Sequence, residues 1–225
     1  MKRTLIAIEG TDGSGKATQT ALLAESLRQK GLPVRKLSFP NYGNDSSALV
    51  KMYLGGAFGA HPDDVNPFAA STFYAVDRYA SYKTDWEKAY LDGEIILTDR
   101  YTISNALHQG AKLPDNERRA YLDWLFDFEY GRLGIPKPTL VIYLDVPSSL
   151  SAKLRAKREA ERHTHTDIHE ADNEYLARCR NNALSLANEE NWKVVRCAAS
   201  ESEMRTVDDI HKEIATIVFS ETNQN

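Results

Sequence analysis

The strongest chemical signal in the sequence is a short glycine-rich run near its start. Residues 10–18 read Gly-Thr-Asp-Gly-Ser-Gly-Lys-Ala-Thr, between an apolar run of strand length and a pattern of helical period. Glycines at this spacing let backbone N–H groups close around an anion at a helix N-terminus, and Lys16 adds a positive charge for the outer phosphates of a nucleotide. Ala17 occupies the place where Ser or Thr usually offers a hydroxyl to Mg²⁺, so the motif alone predicts no metal ligand. The residues predicted to bind the nucleotide are Gly10, Thr11, Asp12, Gly13, Ser14, Gly15, Lys16, Ala17 and Thr18.

Two arginine-bearing segments further along the chain could act on the same phosphates. Asp99 and Arg100 follow an apolar run, at the predicted carboxyl edge of a sheet, where open α/β folds bind ligands. An aspartate there can reach the water shell of Mg²⁺, and an arginine can bridge two phosphoryl groups; a surface pair that caps the next helix is the alternative. A basic helix later in the chain could close as a lid over donor phosphates, or present a solvated charged face. Its candidate catalytic arginines are Arg155, Arg158 and Arg162.

The elements that must position these residues alternate between strand and helix. Apolar runs predict strands at 4–9, 34–39, 94–98, 139–144 and 193–196, and longer runs of helical period separate them. One long helix is predicted to open at Pro67 and to stop at Gly93, and Ser148 is placed to cap another. This pattern predicts the three-layer P-loop NTPase fold, a five-stranded parallel sheet with helices on both faces. We expect one domain over 1–220, with a mobile lid at about 153–170 and a disordered tail at 221–225.

Composition excludes several other classes of protein. Hydrophobic residues make up 42% of the 225, enough for one large core, which excludes disordered and fibrous chains. The net charge of -4 and the absence of a dense basic run argue against a nucleic-acid partner. No apolar run approaches the roughly 20 residues of a membrane helix, so no membrane partner is expected. Two cysteines suggest neither a disulfide framework nor a zinc module, and favour a reducing, cytoplasmic location.

Three further motifs point to one known family. Phe-Pro-Asn-Tyr-Gly at 39–43 and Tyr-Ala-Val-Asp-Arg at 74–78 precede Asp-Arg-Tyr at 99–101, and Ser-Asn follows at 104–105. With the glycine-rich run, they make the chain resemble the thymidylate kinases, which are P-loop nucleoside monophosphate kinases, from residue 4 to about 180. The resemblance implies transfer of the ATP γ-phosphoryl group to dTMP, giving dTDP and ADP for dTTP supply. It also implies Mg²⁺ as a cofactor and a homodimer as the assembly.

The resemblance assigns six residues around the acceptor phosphate and sugar. It implies that Asp12 contacts the sugar 3′-hydroxyl and that His108 lies against the 2′ position. It also implies a cis peptide at Phe39–Pro40, beside a phosphate that Tyr42 and Arg100 hold.

At the base, the resemblance implies that Tyr74 stacks on thymine and that Arg78 and Asn105 read its edge. A flat aromatic ring stacks without choosing a base, whereas arginine offers only donors, which suit thymine O4 and not the cytosine amino group. Tyr74 stands where Phe is more usual in the family, so its hydroxyl needs a partner. Taken singly, the aromatic ring also fits a core position, and the two polar residues also fit a solvated surface.

The expected chemistry needs no general base, because the acceptor is already an anionic oxygen. Lys16, Arg100 and the lid arginines would align and neutralise the phosphates, and Asp99 would position Mg²⁺ through water. A deoxynucleoside kinase, which phosphorylates a free 5′-hydroxyl, is one alternative. A catalytically impaired nucleotide-binding protein, suggested by Ala17, is the other.

The remaining metal-ligand and nucleophile types in the sequence predict no site. Three histidines and Asp167 lie close together in the expected lid, but we interpret them as an exposed polar loop because nothing predicts rigid support for a metal. These histidines are His163, His165 and His169. Cys179 and Cys197 are interpreted as inert thiols, because no base partner is evident.

Overall fold

The computed structural model describes residues 3–162 and 167–223. Five strands form one sheet in which every neighbouring pair is parallel, in the order β2-β3-β1-β4-β5. The predicted α/β fold is therefore confirmed, and no predicted strand boundary differs from the observed one by more than one residue. The strands are β1 (Leu5–Gly10), β2 (Val34–Ser38), β3 (Ile95–Asp99), β4 (Leu140–Asp145) and β5 (Lys193–Arg196).

Helices connect and cover these strands. The α-helices are α1 (Lys16–Gln29), α2 (Ala48–Leu54), α3 (Pro67–Ser81), α4 (Glu87–Leu91), α5 (Thr102–His108), α6 (Asp115–Phe126), α7 (Ser148–Arg162), α8 (Asn173–Glu189) and α9 (Val207–Asn223). Short 3₁₀ turns lie at Asp45–Ser47, Pro62–Asp64 and Gly110–Lys112, and π-helical segments at Tyr82–Trp86 and Asp127–Arg132. Within the described ranges, no helix is both long and apolar enough to cross a bilayer.

The central strands β1, β3 and β4 are buried on both faces, which is why they are apolar runs, whereas the edge strands β2 and β5 are partly exposed. Ile6 and Ile8 of β1 face α1 and α9, where they join a cluster that includes Leu23 and Ile214. On the opposite face, Tyr143 of β4 packs among residues of α5, α6 and α8. Because β1 and β3 are parallel, their carboxyl ends lie at the same edge of the sheet, where β1 opens into the glycine-rich loop.

Two predicted segments differ in detail from the structure. The long helix that begins at Pro67 changes to π-helical turns at Tyr82–Trp86 before α4 completes it, and Asp92 and Gly93 then end it. The C-terminal helix α9 extends to Asn223, so it enters the tail that the sequence left disordered.

Candidate active site

The glycine-rich loop forms a tight turn between β1 and the first residue of α1. Gly15 caps the helix in the left-handed region at φ +87°, a conformation that glycine adopts without steric cost. Lys16 is buried at the start of the helix, and its Nζ donates to the Thr11 carbonyl at 2.9 Å. The loop thus has the strand–loop–helix geometry that phosphate binding requires.

Helix α7, which contains part of the predicted lid, packs directly against this loop. A Cβ atom at Gly13 would lie 3.1 Å from the backbone oxygen of Ser151 and 3.4 Å from Arg155 Cγ. The Ser151 hydroxyl donates to the backbone oxygen of Asp12 at 2.5 Å. Close approach of α7 therefore explains why glycine, and not a larger side chain, occupies position 13.

The turn after β3 brings an arginine to the loop. Arg100 adopts a left-handed backbone at φ +66°, which is uncommon outside glycine and is found at functional sites. Its Nη2 pairs with Asp12 Oδ1, and its Nη1 lies 3.5 Å from His108 Nε2. Glu9 anchors the same turn, because it accepts from the Tyr101 N–H at 2.8 Å and from the Ser104 hydroxyl at 2.6 Å.

Burial and charge shift the titration of this cluster. Burial, and next the charge of Arg100, lowers the pKa of Lys16 to about 8. Burial alone would raise the pKa of Asp12, but Arg100 and Lys16 outweigh it and hold that pKa well below its ordinary value. Burial raises the pKa of Glu9 to about 7, against the opposite effects of Ser104 and Arg100. An anionic ligand at this edge would meet the positive charge of Arg100. It would also raise the lowered pKa of Lys16, because a nearby anion favours the protonated amine.

The loop and the turn open into one cavity of about 520 Å³. All nine residues that the sequence assigned to the acceptor line it, as do Lys16, Ala17, Thr18 and Asp99. The Phe39–Pro40 peptide bond is cis, as the resemblance implied. Those nine are Asp12, Phe39, Pro40, Tyr42, Tyr74, Arg78, Arg100, Asn105 and His108.

Where the base is expected to bind, a carboxylate that no sequence pattern pointed to organises two predicted residues. Glu129 is fully buried and accepts from Arg78 Nε at 2.7 Å and from Arg78 Nη2 at 2.6 Å. It also accepts from Asn105 Nδ2 at 3.3 Å and from the Thr102 hydroxyl at 2.8 Å. Arg78 and Asn105 are therefore neither exposed nor free to rotate. Tyr74 packs edge-on against Tyr53 nearby, with 6.3 Å between ring centroids.

A stacked histidine pair also lines the cavity. The rings of His108 and His169 are 5.6 Å apart and within 16° of parallel, and His169 Nε2 is 2.8 Å from the Tyr53 hydroxyl. Burial lowers the pKa of His108 to about 3 and that of His169 well below its ordinary value, so both rings are neutral near pH 7. The interpretation of His169 as an exposed loop residue is wrong, because a second ring and a tyrosine hydroxyl bury it. Lys112 also donates to the Tyr53 hydroxyl, at 2.8 Å.

One arginine of the predicted lid bonds to its own helix α7 and to α8 instead of lining this cavity. Arg155 is buried, with Nη1 donating to Ser151 Oγ at 3.0 Å and Nη2 donating to Asn173 Oδ1 at 2.6 Å. It borders a smaller cavity of about 260 Å³ together with Thr11. The side chains of four other residues considered from the sequence lie outside the described part of the chain: Arg158, Arg162, His163 and His165.

One atom at the edge of the cavity fits the water shell of a metal ion. Asp99 Oδ1 is buried and has no hydrogen-bond partner among the described residues. A carboxylate oxygen of this kind suits Mg²⁺, which keeps several of its waters. No group of three or more histidine, cysteine or acidic side chains within residues 3–162 and 167–223 forms a direct metal site. Cys179 and Cys197 are both free and buried.

The loop and cavity meet at the carboxyl edge of a parallel sheet, beside a charged turn that suits phosphate. The chain therefore has the architecture of a P-loop kinase that acts on a small acceptor. Comparison with known families defines it further, because the family model described as thymidylate kinase matches residues 8–210. The chain belongs to the thymidylate kinase family.

Individual relatives agree with this assignment. Thymidylate kinase of Mycobacterium tuberculosis (strain H37Rv) is 34% identical over 159 residues, 70% of this chain and 72% of that protein. A probable thymidylate kinase of Thermococcus onnurineus is 31% identical over 219 residues, 96% of this chain and 97% of that protein. A probable thymidylate kinase of Pyrobaculum aerophilum is 30% identical over 191 residues, 84% and 86% of the two chains. The resemblance found in the sequence is confirmed and extends beyond residue 180.

Proposed function

We propose that this chain transfers the γ-phosphoryl group of ATP to the 5′-phosphate of dTMP, giving dTDP and ADP. The observation that carries this proposal is that the phosphate-binding loop and all nine acceptor residues line one cavity. The turn that carries Arg100 borders this cavity, and so do Arg78 and Asn105, whose polar groups could face a base. Such a cavity suits a pyrimidine monophosphate that meets ATP at the loop.

On the acceptor side, the charges fit a monophosphate. Arg100 and Tyr42 would hold the acceptor phosphate, and Arg100 would exchange its pairing with Asp12 for that anion. Asp12 would then be released to accept from the sugar 3′-hydroxyl. Tyr74 would stack on the base, and His108 would lie against the 2′ position.

On the donor side, ATP fits the loop that ends at Lys16. Since the attacking acceptor oxygen is already anionic, the residues only align and neutralise the phosphates. Lys16 and Arg100 supply two positive charges at this edge. Arg155 would have to leave Asn173 to add a third, and Arg158 and Arg162 remain the other candidates for that role.

The residues present fit Mg²⁺ without a hydroxyl at Ala17. Asp99 Oδ1, which has no hydrogen-bond partner within the described ranges, would accept from metal-bound water, while ATP would supply phosphate oxygens. The ion, when bound, would neutralise charge on the transferring group. Ala17 and Thr18 both line the cavity. Successive helix residues are turned by about 100°, so the Thr18 hydroxyl would not take the place of a hydroxyl at position 17.

ADP release with a panel of acceptors tests the proposed reaction. We expect turnover with dTMP and little with thymidine, because a bare 5′-hydroxyl leaves Arg100 without its anion. Preference for thymidine would favour a deoxynucleoside kinase, and binding of ATP without turnover of any acceptor would favour an impaired nucleotide-binding protein. The family match supports the monophosphate kinase and gives no support to either alternative.

An apolar surface on α2 and α3 supports a homodimer. Five large apolar side chains there are each more than a third exposed, and those of α3 follow one helical stripe. They are Leu49, Met52, Phe68, Val76 and Tyr79. Isologous pairing of this surface would bury it. Light scattering should give a dimer mass for the wild type and a monomer mass for Val76→Asp, and a monomeric wild type would contradict the proposal.

A reducing cytoplasmic location agrees with the thiols. Cys179 and Cys197 are free and buried, and burial raises the pKa of both thiols. Neither therefore offers a reactive thiolate or a partner for a disulfide.

A further inference from the structure

We infer that Glu129 is a positioning residue that fixes which hydrogen-bonding groups of Arg78 and Asn105 face the base, and thereby selects thymine over cytosine. Glu129 lies in the π-helical segment Asp127–Arg132 that follows α6, and it is fully buried. Its role rests on the proposed function, since it presupposes that dTMP occupies the cavity.

The orientation of the Asn105 amide follows from its partners. Asn105 Nδ2 donates to the Ser71 carbonyl at 3.1 Å and to Glu129 Oε1 at 3.3 Å. A carbonyl and an ionised carboxylate can only accept, so the nitrogen must face them and the amide oxygen must point the other way. Because Asn105 lines the cavity, that oxygen is the group available to a base.

The orientation of Arg78 follows in the same way. Glu129 engages Nε and Nη2 in a two-point contact, which holds the guanidinium plane and leaves Nη1 as the remaining nitrogen. Arg78 is 1% exposed and also lines the cavity. The Thr102 hydroxyl donates to the same carboxylate at 2.8 Å, so several donors hold the two Glu129 oxygens in place.

Together the two side chains present one acceptor and one donor. Thymine offers the complementary pair, an N3–H donor beside the O4 acceptor, whereas cytosine offers an N3 acceptor beside an amino donor. A cytosine base would therefore place acceptor against acceptor and donor against donor. Buried mismatches of this kind carry strong discrimination, because each leaves a polar group without a partner.

Replacing the carboxylate with an amide should remove this constraint. In Glu129→Gln, the side-chain oxygen could accept from only one of the two Arg78 nitrogens, and the new NH₂ group would face the other as donor against donor. The Ser71 carbonyl would still orient the Asn105 amide, but the guanidinium would lose its two-point contact, so Nη1 would no longer be held against the position-4 group of the base.

The test compares kcat/KM for dTMP with kcat/KM for 5-methyl-dCMP, which keeps the methyl group and differs only at position 4 and N3. Wild type should prefer dTMP strongly, and Glu129→Gln should lower the ratio by about 10-fold or more. Glu129→Asp keeps the buried charge beside Arg78, so it should fold even if the Gln variant does not. Its shorter side chain would draw the guanidinium out of position, so it should also lower the ratio.

Asp145→Asn is the matched control. Asp145 forms a similar two-point contact with Arg180, at 2.7 and 3.0 Å, but neither residue lines the dTMP cavity. This control should lower thermal stability and leave the substrate ratio unchanged.

The outcomes separate the two proposals. A wild-type enzyme that does not use dTMP would overturn the proposed function, and the role of Glu129 with it. A wild type that uses dTMP and 5-methyl-dCMP equally well would overturn only the selection by this cluster. A folded Glu129→Gln or Glu129→Asp that loses activity equally on both substrates would reduce Glu129 to a structural residue and overturn the inference.

Discussion

Replacement of Glu9 by Gln should make the protein more stable, and more so as the pH rises. Glu9 is the one acidic residue in the otherwise apolar strand β1, and it is fully buried. Its contacts survive the change, since Gln Oε1 can accept from the Tyr101 N–H and the Ser104 hydroxyl can turn from donor to acceptor. What disappears is a carboxylate whose ionisation burial opposes.

The size of the effect follows from the pKa of Glu9. Burial raises this pKa from 4.5 to about 7, so the folded state holds the proton over a range in which the unfolded state has lost it. The free energy of unfolding contributed by Glu9 is therefore fully present below about pH 4.5 and falls as the pH rises towards 7. A difference of about 2.5 between the two pKa values, at about 1.4 kcal/mol for each, gives about 3 kcal/mol.

Chemical denaturation of wild type and Glu9→Gln, from about pH 5 to about pH 8, measures this contribution. The variant's advantage should be small at the acidic end and grow by about 2 to 3 kcal/mol at the basic end, about 5–10 °C in Tm for a chain of this size. Subtracting the two curves removes the titrations of Asp167 and His169, which both proteins share. A constant difference across this range would show that the contacts from Tyr101 and Ser104 fully offset burial. It would mean that folding does not raise the pKa of Glu9, and would refute the reasoning.

Three further predictions concern the phosphate end of the site. Lys16→Met should fold but lose most turnover. Above about pH 8, wild type should take up protons on binding ADP and this variant should not, because phosphates raise the lowered pKa of Lys16. Calorimetry in buffers of different ionisation enthalpy measures the proton uptake, and equal uptake by both proteins would contradict the role of Lys16. Arg155→Ala should lower kcat by about 10²-fold if Arg155 leaves Asn173 for the phosphates; a lower Tm with unchanged kcat would confine it to joining α7 and α8. Asp99→Asn should raise the Mg²⁺ concentration for half-maximal rate and Thr18→Val should not, and the reverse result would contradict the metal assignment.

The fold and the phosphate loop follow from the sequence because both depend on local patterns. Apolar runs of strand length that alternate with helical patterns are typical of a parallel sheet, and the order of glycines and lysine specifies a backbone shape directly. The π-helical turns at Tyr82–Trp86 were not predictable, because helical periodicity does not distinguish one extra residue per turn over so short a stretch.

Residues that act through other residues were harder to find. Glu129 lies 51 residues from Arg78 along the chain, and nothing around it in the sequence marks it as different from a surface acid. His169 looked exposed because its neighbours are polar, but Tyr53 and His108 reach it from distant elements. Glu9 did carry a signal, since an acid within an apolar strand must be hydrogen-bonded or neutral once buried.

Two buried carboxylates, Glu9 and Glu129, hold parts of this site in place, but their removal should change the stability of the protein in opposite directions. Glu129 is paired with a guanidinium that shares its burial, so its charge is compensated and its loss would leave Arg78 uncompensated. Among the described residues, Glu9 accepts hydrogen bonds from a backbone N–H and a hydroxyl, while Arg100 acts on it through charge and is itself paired with Asp12. Glu9 therefore lowers the free energy of unfolding near pH 7 while it holds the turn that carries Arg100. We explain its presence by the phosphate that Arg100 would bind, and not by a contribution to folding.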